Sequence, residues 1–303
     1  MKIKIATRLS PLALLQTNEV IEKIKFHDSK CTCEIVKIKS DGDLTDLPLH
    51  TIGGKGLFVS KLEEALRNGE ADIAVHSLKD VPAILDPQFS IAATLQREAV
   101  GDALLLKEGL GEADLSKNLT IATSGPRRKS QLLAINSNLN IVPIRGNIQT
   151  RIDKMKTDGL DGLVVAKAAL NRLEILHPNI FLFSEEQMLP ASAQGAIGIE
   201  INTNTVSSEV GNLLKLINDK ITYQATEIER QVVASMQGNC LSPISVLCLI
   251  KDQQVKLKAR VTSQDGNEVI NETTKFKLKN KVNAVHDFIK ILIGNGAREI
   301  IQR

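Results

Sequence analysis

Tryptophan is absent from this 303-residue chain, and one Tyr and seven Phe leave aromatics at only 3%. That scarcity speaks against a base-stacking platform for nucleic acid. The cores must instead come from Ile, Leu, Val and Ala, within an apolar content of 43%. An excess of one charge is also lacking: 38 Lys and Arg face 35 Asp and Glu, a net of +3 that argues against a general polyanion binder. No apolar run reaches the roughly 20 residues of a bilayer span, and the start, MKIKIATRLS, has no apolar signal-peptide core, so no membrane partner is expected. With only four cysteines, the expectation is a reducing compartment, most simply the cytoplasm. Cys31 and Cys33 share a strand face with no third ligand in range, His27, His50, His177 and His286 have no cluster around them, and Cys248 falls in an apolar strand. No metal is expected.

What is present is an uneven distribution of arginine. Between Arg127 and Arg172 lie five Arg (127, 128, 145, 151, 172) against four Lys, whereas the rest of the chain has seven Arg against 22 Lys. A Lys-preferring chain that concentrates Arg in one region suggests planar forks for carboxylates or phosphates, against the plainer reading of a solvated face.

The pattern of elements is a βαβ rhythm. Lys2–Ala6 alternates as a strand, Ser10-Pro11 is an N-cap and first-turn pair for a helix to about Phe26, and strands are predicted at 34–39 and 71–76. The rhythm resumes with strands at 103–106, 120–123, 141–144 and 163–166 and helices at 126–136, 147–157 and 167–173. Gly195–Ile201 reads as a strand able to return to the first sheet. A helix from about Ile221 to Met236 opens a last unit, with strands at 245–250, 255–261 and 269–276 and a closing helix at 282–293. The expectation is an α/β protein of two lobes with a small C-terminal α+β domain: residues 1–96 with 195–217, residues 97–194, and residues 218–303.

Four segments carry chemistry. Thr123-Ser124-Gly125-Pro126-Arg127-Arg128 ends a strand and begins a helix, where free N–H groups and two guanidiniums attract anions. Ile144-Arg145-Gly146-Asn147, with Arg151 one turn on, repeats that arrangement, with Asn147 as N-cap and Gly146 allowing close approach of a ligand. Both stand where strands of an open sheet end, the usual ligand crevice. In His76-Ser77-Leu78-Lys79-Asp80-Val81-Pro82, Lys79 can hold an anionic group while Asp80 acts on a proton or a developing cation; the plainer reading makes Asp80 a turn former. A Ser77–His76–Asp80 triad is not expected, because adjacent residues on extended backbone point apart. Gly53-Gly54-Lys55-Gly56 lacks Walker spacing and reads as a flap near the site. Cys240, between Gly238 and Pro243, is a lone thiol on a short loop, suited to hold a prosthetic group covalently.

These segments, in this order, closely resemble the porphobilinogen deaminase (hydroxymethylbilane synthase) family. The stretches that carry the resemblance are IATRLSPLAL at Ile5–Leu14, GGKGLF at Gly53–Phe58, ADIAVHSLKDVP at Ala71–Pro82, Arg127-Arg128, IRGNIQTR at Ile144–Arg151, LNRL at Leu170–Leu173, PASAQGAIGIE at Pro190–Glu200 and the Cys240 loop. The match is collinear from about residue 3 to Glu299.

The resemblance implies two lobes like those of periplasmic binding proteins and a third domain carrying a dipyrromethane cofactor through a thioether to Cys240. It implies a transferase of tetrapyrrole (heme) biosynthesis that adds four porphobilinogen units head to tail, each losing ammonia, before water releases hydroxymethylbilane. Every pyrrole carries an acetate and a propionate. By resemblance Arg8, Arg127, Arg128, Arg145, Arg151 and Arg172 hold these carboxylates, with Lys55 and Lys79 assisting. Asp80 is the catalytic carboxylate, stabilising the azafulvene-like cation left by ammonia and shuttling protons. Ser10, Thr123, Ser124, Gly146 and Gln194 are further contacts. A monomer with porphobilinogen as its small-molecule partner is expected.

Several positions depart from the family pattern. Gly125-Pro126 replaces Ser-Leu, Asn239 and Ser242 flank the cysteine loop unusually, Thr51 stands for Lys, Ala193 for Gly, and Ala99-Val100-Gly101 for Asp-Pro-Arg. The competing readings are a non-enzymatic bilobal polycarboxylate binder, which leaves Cys240 without a task, and a homologue inactivated by these departures.

Overall fold

The computed structural model describes residues 1–39, 59–238 and 242–302. Lys55 with its glycine segment, and Cys240 with Asn239, lie outside the described residues.

In the first lobe, β1 (Lys2–Arg8) passes through Ser10 into α1 (Pro11–His27). The Ser10 hydroxyl accepts from the Ala13 N–H at 3.3 Å, and Pro11 fills a position whose N–H has no helical partner. β2 (Thr32–Ile38), α2 (Ser60–Arg67), β3 (Ile73–Ser77) and β4 (Phe89–Thr94) follow. The second lobe comprises β5 (Asp102–Leu106), β6 (Thr120–Thr123), α3 (Pro126–Ile135), β7 (Asn140–Pro143), α4 (Ile148–Thr157), β8 (Gly162–Ala166), α5 (Lys167–Arg172) and β9 (Ile180–Leu182). β10 (Ile197–Asn202) and α6 (Ser208–Ile217) pack back on the first lobe. α7 (Lys220–Ser235), β11 (Ile244–Lys251), β12 (Gln254–Thr262), β13 (Val269–Lys277), α8 (Lys281–Gly294) and α9 (Ala297–Gln302) form the C-terminal unit.

The first sheet has the order β2-β1-β3-β10-β4 and the second β7-β6-β8-β5-β9. β1 pairs in parallel with β2 and β3, and β10 enters antiparallel between β3 and β4, so the predicted return strand does rejoin the first sheet. The second sheet repeats this plan, with β5 antiparallel between β8 and β9. Helices cover both sheets, and β3, β5 and β8 are buried almost throughout, as expected of strands covered on both faces. The C-terminal antiparallel sheet β11-β12-β13 buries one face against α7, α8 and α9 around Val232, Val246, Leu257, Phe288 and Leu292. The architecture is therefore two α/β lobes with a small three-stranded C-terminal unit. Among the described residues no helix is long and apolar enough to cross a membrane.

The lobes are joined by two crossings, Leu95–Gly101 and Phe183–Ala196, and a buried carboxylate fastens both to the C-terminal unit. Glu229 of α7 accepts from the two terminal nitrogens of Arg97 at 2.7 and 3.1 Å, from Ala193 N–H at 2.6 Å and from Cys248 N–H at 2.8 Å. Gly195 is required here: at φ +87°, an added Cβ would meet Glu98 O at 2.4 Å. Ala193 also adopts a left-handed conformation, φ +58°, without being glycine. An L-residue there is strained by about 1–2 kcal/mol, partly offset by the greater unfolded-state entropy of Gly. Ala193→Gly is therefore expected to stabilise the protein by about 0.5–1 kcal/mol, seen as a small rise in Tm by scanning calorimetry; a fall would show that the Ala methyl packs favourably enough to offset the strain.

Candidate active site

The ends of β1, β3, β6 and β8 open on one cavity of about 1090 Å³ between the lobes, reaching the C-terminal unit. Arg8, Ser10, Lys79, Asp80, Ser124, Arg127, Arg128, Arg145, Gly146, Arg151 and Gln194 all line it. Among the described lining residues, eight Lys and Arg side chains stand against one carboxylate, Asp80; Lys39 and Arg230 complete the eight. Such a cationic concentration is costly unless anions enter it.

The turn bearing Asp80 is a short 3₁₀ segment, Leu78–Asp80, directly after β3. Leu78 N–H donates to Ala196 O at 3.0 Å, Val81 N–H closes the turn on Leu78 O at 3.2 Å, and the Ser77 hydroxyl donates to Gln16 Oε1 at 2.9 Å. Lys79 Nζ donates to Gln194 Oε1 at 3.3 Å. Burial, then the Arg128 charge, pushes the Lys79 ammonium down to about 8, with Asp80 and Asp102 opposing. Arg151 is likewise pushed down to about 10, first by burial and then by Arg128, with Arg145 and Arg8 adding to the effect and Asp80 opposing it. The cationic groups thus lie within one another's fields.

Asp102, which the sequence did not single out, organises the double arginine. Its carboxylate, 0% exposed, accepts from Arg127 Nη2 at 2.7 Å, from Arg128 Nη2 and Nε at 2.7 and 3.0 Å, and from Gln194 Nε2 at 3.0 Å. Burial alone would raise this carboxyl, but the Arg127 and Arg128 charges hold it well below the usual carboxylate range. Arg127 also donates to Leu189 O and Arg128 to Val164 O. A guanidinium has five N–H groups, so each arginine keeps donors for a ligand while its plane is fixed from behind. The two Arg enter the first turn of α3, where a cation opposes the helix dipole; Gly125 and Pro126 supply no side-chain cap. Asp102 makes that placement tolerable.

Three expectations are modified by the geometry, and two residues take on a second role. Arg172 does not line the cavity: its Nε donates to Glu19 Oε1 of α1 at 2.8 Å and Nη2 to Gly195 O at 3.2 Å, so the carboxylate it holds belongs to the protein. Gln194 lines the cavity but is 0% exposed, its amide taken by Val100 O, Asp102 and Lys79; it positions those groups. Thr123 is buried and is not among the lining residues, and its hydroxyl has no hydrogen-bond partner among the described residues. Ser10 and Ser124 both line the cavity, though Ser10 also caps α1 and Ser124 donates to Ile144 O at 2.9 Å. Elsewhere Asn147 caps α4 by accepting from Thr150 N–H at 2.9 Å, and Gly146 has φ +110°. Arg151 Nε donates to Gly146 O at 2.7 Å, tying the two halves of that segment together. Cys248 is buried in the C-terminal core, and burial pushes its thiol up; the Cys33 thiol is pushed up to about 11 by burial and by Cys31.

A family model described as porphobilinogen deaminase, dipyromethane cofactor binding domain, matches residues 3–209, and one described as porphobilinogen deaminase, C-terminal domain, matches residues 223–290. The porphobilinogen deaminase of Campylobacter curvus is 36% identical over 306 residues, covering 99% of this chain and 97% of that protein. The porphobilinogen deaminase of Lawsonia intracellularis is 37% identical over 302 residues, with 99% and 97% covered.

The chain belongs to the porphobilinogen deaminase family.

Among solved structures, a TRAP periplasmic solute binding protein from Desulfovibrio salexigens aligns at TM-score 0.44 and 13% identity, covering 76% of this chain and 75% of that one. As a porphobilinogen deaminase family member the chain is a transferase with a dipyrromethane cofactor-binding domain. The residues present fit that group. A dipyrromethane carries several carboxylates, and the lining offers the clustered guanidiniums described above. Ser192 also lines the cavity, and its buried hydroxyl has no hydrogen-bond partner among the described residues, as is expected of a group that meets its partner in a ligand. Lys39, Asp102, Ser192 and Arg230 went unnoticed in the sequence because no local pattern marks them.

Proposed function

We propose that Asp80 and the cationic cavity carry out the family's reaction on a dipyrromethane attached to Cys240. That reaction condenses four porphobilinogen molecules head to tail, with loss of ammonia, to hydroxymethylbilane. The observation that carries the assignment of roles is the set of eight cationic side chains around a single lining carboxylate. Support for the tether comes from the described residues nearest Cys240 in the chain: Gly238 and Ser242 both line the cavity.

When bound, the dipyrromethane supplies the pyrrole carbon to which the first substrate unit is joined. The chain's own residues do the rest. Arg8, Arg128, Arg145 and Arg151 bind acetate and propionate groups, Arg127 joins them through the donors Asp102 leaves, and Lys55 and Lys79 assist; each charge-assisted bond contributes about 1.5–3 kcal/mol. Arg172 is assigned to bracing the lobes through Glu19. As the amino nitrogen of the substrate's aminomethyl group leaves as ammonia, its methylene carbon stays on the ring and positive charge grows on the pyrrole. Asp80, an anion inside a cationic wall, stabilises that charge. The same carboxylate accepts and returns the protons that ammonia gains and the attacked carbon loses. We assign the protein to the cytoplasm as a monomer; the thiols of Cys31, Cys33 and Cys248, free among the described residues, fit a reducing compartment.

Incubation of the purified protein with porphobilinogen tests the assignment: one ammonia should appear per porphobilinogen consumed, with hydroxymethylbilane as product. Binding without ammonia release would favour a polycarboxylate binder. A pH prediction follows from Lys79. As pH rises through about 8 its charge is lost, so kcat/KM should fall with an apparent pKa near 8. Lys79→Arg, which stays charged, should remove that limb. A limb that survives the substitution would assign it to another group.

A further inference from the structure

Arg230 lies outside the arginine-rich region, on α7 of the C-terminal unit, yet its guanidinium reaches the first lobe. Nη1 donates to Val81 O at 3.0 Å, and Nη2 donates to Pro82 O at 2.7 Å and to Ala83 O at 3.5 Å. These three carbonyls follow Asp80 directly in the chain. Ala83 also packs on the core of the C-terminal unit. On its other side the Asp80 turn is held by Leu78 N–H on Ala196 O and by Ser77 on Gln16. Arg230 therefore supplies the side-chain hydrogen-bonded anchor on the C-terminal side, beside the apolar packing of Val81 and Ala83, and Pro82 has no N–H with which to make another.

We propose that Arg230 is a positioning residue for the reaction: by clasping the carbonyls of Val81, Pro82 and Ala83 it fixes the Asp80 carboxylate, coupling the unit whose sequence contains Cys240 to the turn that does the chemistry. This rests on the role assigned to Asp80 above. A planar fork spans successive carbonyls, which the point charge of lysine cannot do. A displacement of about 1 Å at a reacting group costs roughly 10²-fold in rate. A residue that merely fastened two units together would change stability and leave kcat alone, whereas a direct substrate contact would change KM.

The test uses the full-length protein with Arg230→Lys and Arg230→Met, measuring kcat and KM for porphobilinogen, thermal stability, and amide exchange over residues 77–85. Expected are a fall in kcat of roughly 10²-fold, KM within about twofold of wild type, and faster exchange at Leu78 and Val81. Because the effect acts through Asp80, Asp80→Asn combined with Arg230→Lys should lose no more than Asp80→Asn alone. If Arg230→Met does not fold, Arg230→Lys carries the test. An unchanged kcat, a change confined to KM, unaltered exchange of the turn, or multiplicative losses in the double variant would each overturn the inference. A wild type that turns over no porphobilinogen would count first against the deaminase assignment; an active wild type with unaffected Arg230 variants would overturn this inference alone.

Discussion

Asp80→Asn is expected to lower kcat by about 10²–10⁴-fold, with folding intact and KM for porphobilinogen little changed. The turn is built from the backbone of Leu78 and Val81 and from Ser77 on Gln16, none of which uses the Asp80 carboxylate. The amide keeps the shape of the side chain but removes the negative charge that offsets the growing pyrrole cation, and it cannot take up a proton. Steady-state kinetics together with a thermal scan separate the two properties. Loss of turnover with an unchanged Tm supports the assignment; retention of more than a tenth of wild-type kcat would place the catalytic charge elsewhere.

The second large effect falls on stability. Asp102→Asn should destabilise the protein by about 3–5 kcal/mol, because it leaves Arg127 and Arg128 buried without their counter-charge. Denaturant unfolding of the second lobe measures it, and an effect below about 1 kcal/mol would mean that water or other groups compensate the guanidiniums. The sign of the pH dependence follows from the same pair. The folded-state carboxyl lies below its unfolded value, so its contribution is fully present above pH about 4. It is lost only as pH falls below the usual carboxylate range, towards the folded value. Between neutrality and mild acid, Asp102 contributes no change in stability.

The local signals in the sequence located many elements, because capping and alternation are local physics. Ser10-Pro11 and Asn147 cap α1 and α4 as predicted, and the 120–123 strand has the expected bounds. The strands β4 and β9 and the helices α6 and α9 were not read; β9 has only three residues, too few for a period to show. Strand direction was not legible either. β10 looks like any buried strand, and only its pairing with β3 and β4 makes it antiparallel.

At the site, the segments that end strands revealed themselves, since glycine and arginine beside a helix start have a local chemical meaning. Their partners did not. Asp102 precedes Arg127 by 25 residues, Glu19 is 153 residues from Arg172, and Arg230 is about 150 residues from the carbonyls it clasps. Nothing local distinguishes an arginine that holds a ligand from one that holds a glutamate of its own chain. The family resemblance places Arg172 among the ligand forks, whereas in this fold its guanidinium is held by Glu19 and the Gly195 carbonyl.

The most direct measurement of the covalent-carrier claim is the intact mass of the purified wild-type protein beside that of Cys240→Ser. The wild type should exceed its 33.1 kDa sequence mass by two linked pyrroles, and the serine variant should match its own sequence mass and be inactive. A wild-type protein at its bare sequence mass that still converts porphobilinogen to hydroxymethylbilane would contradict it.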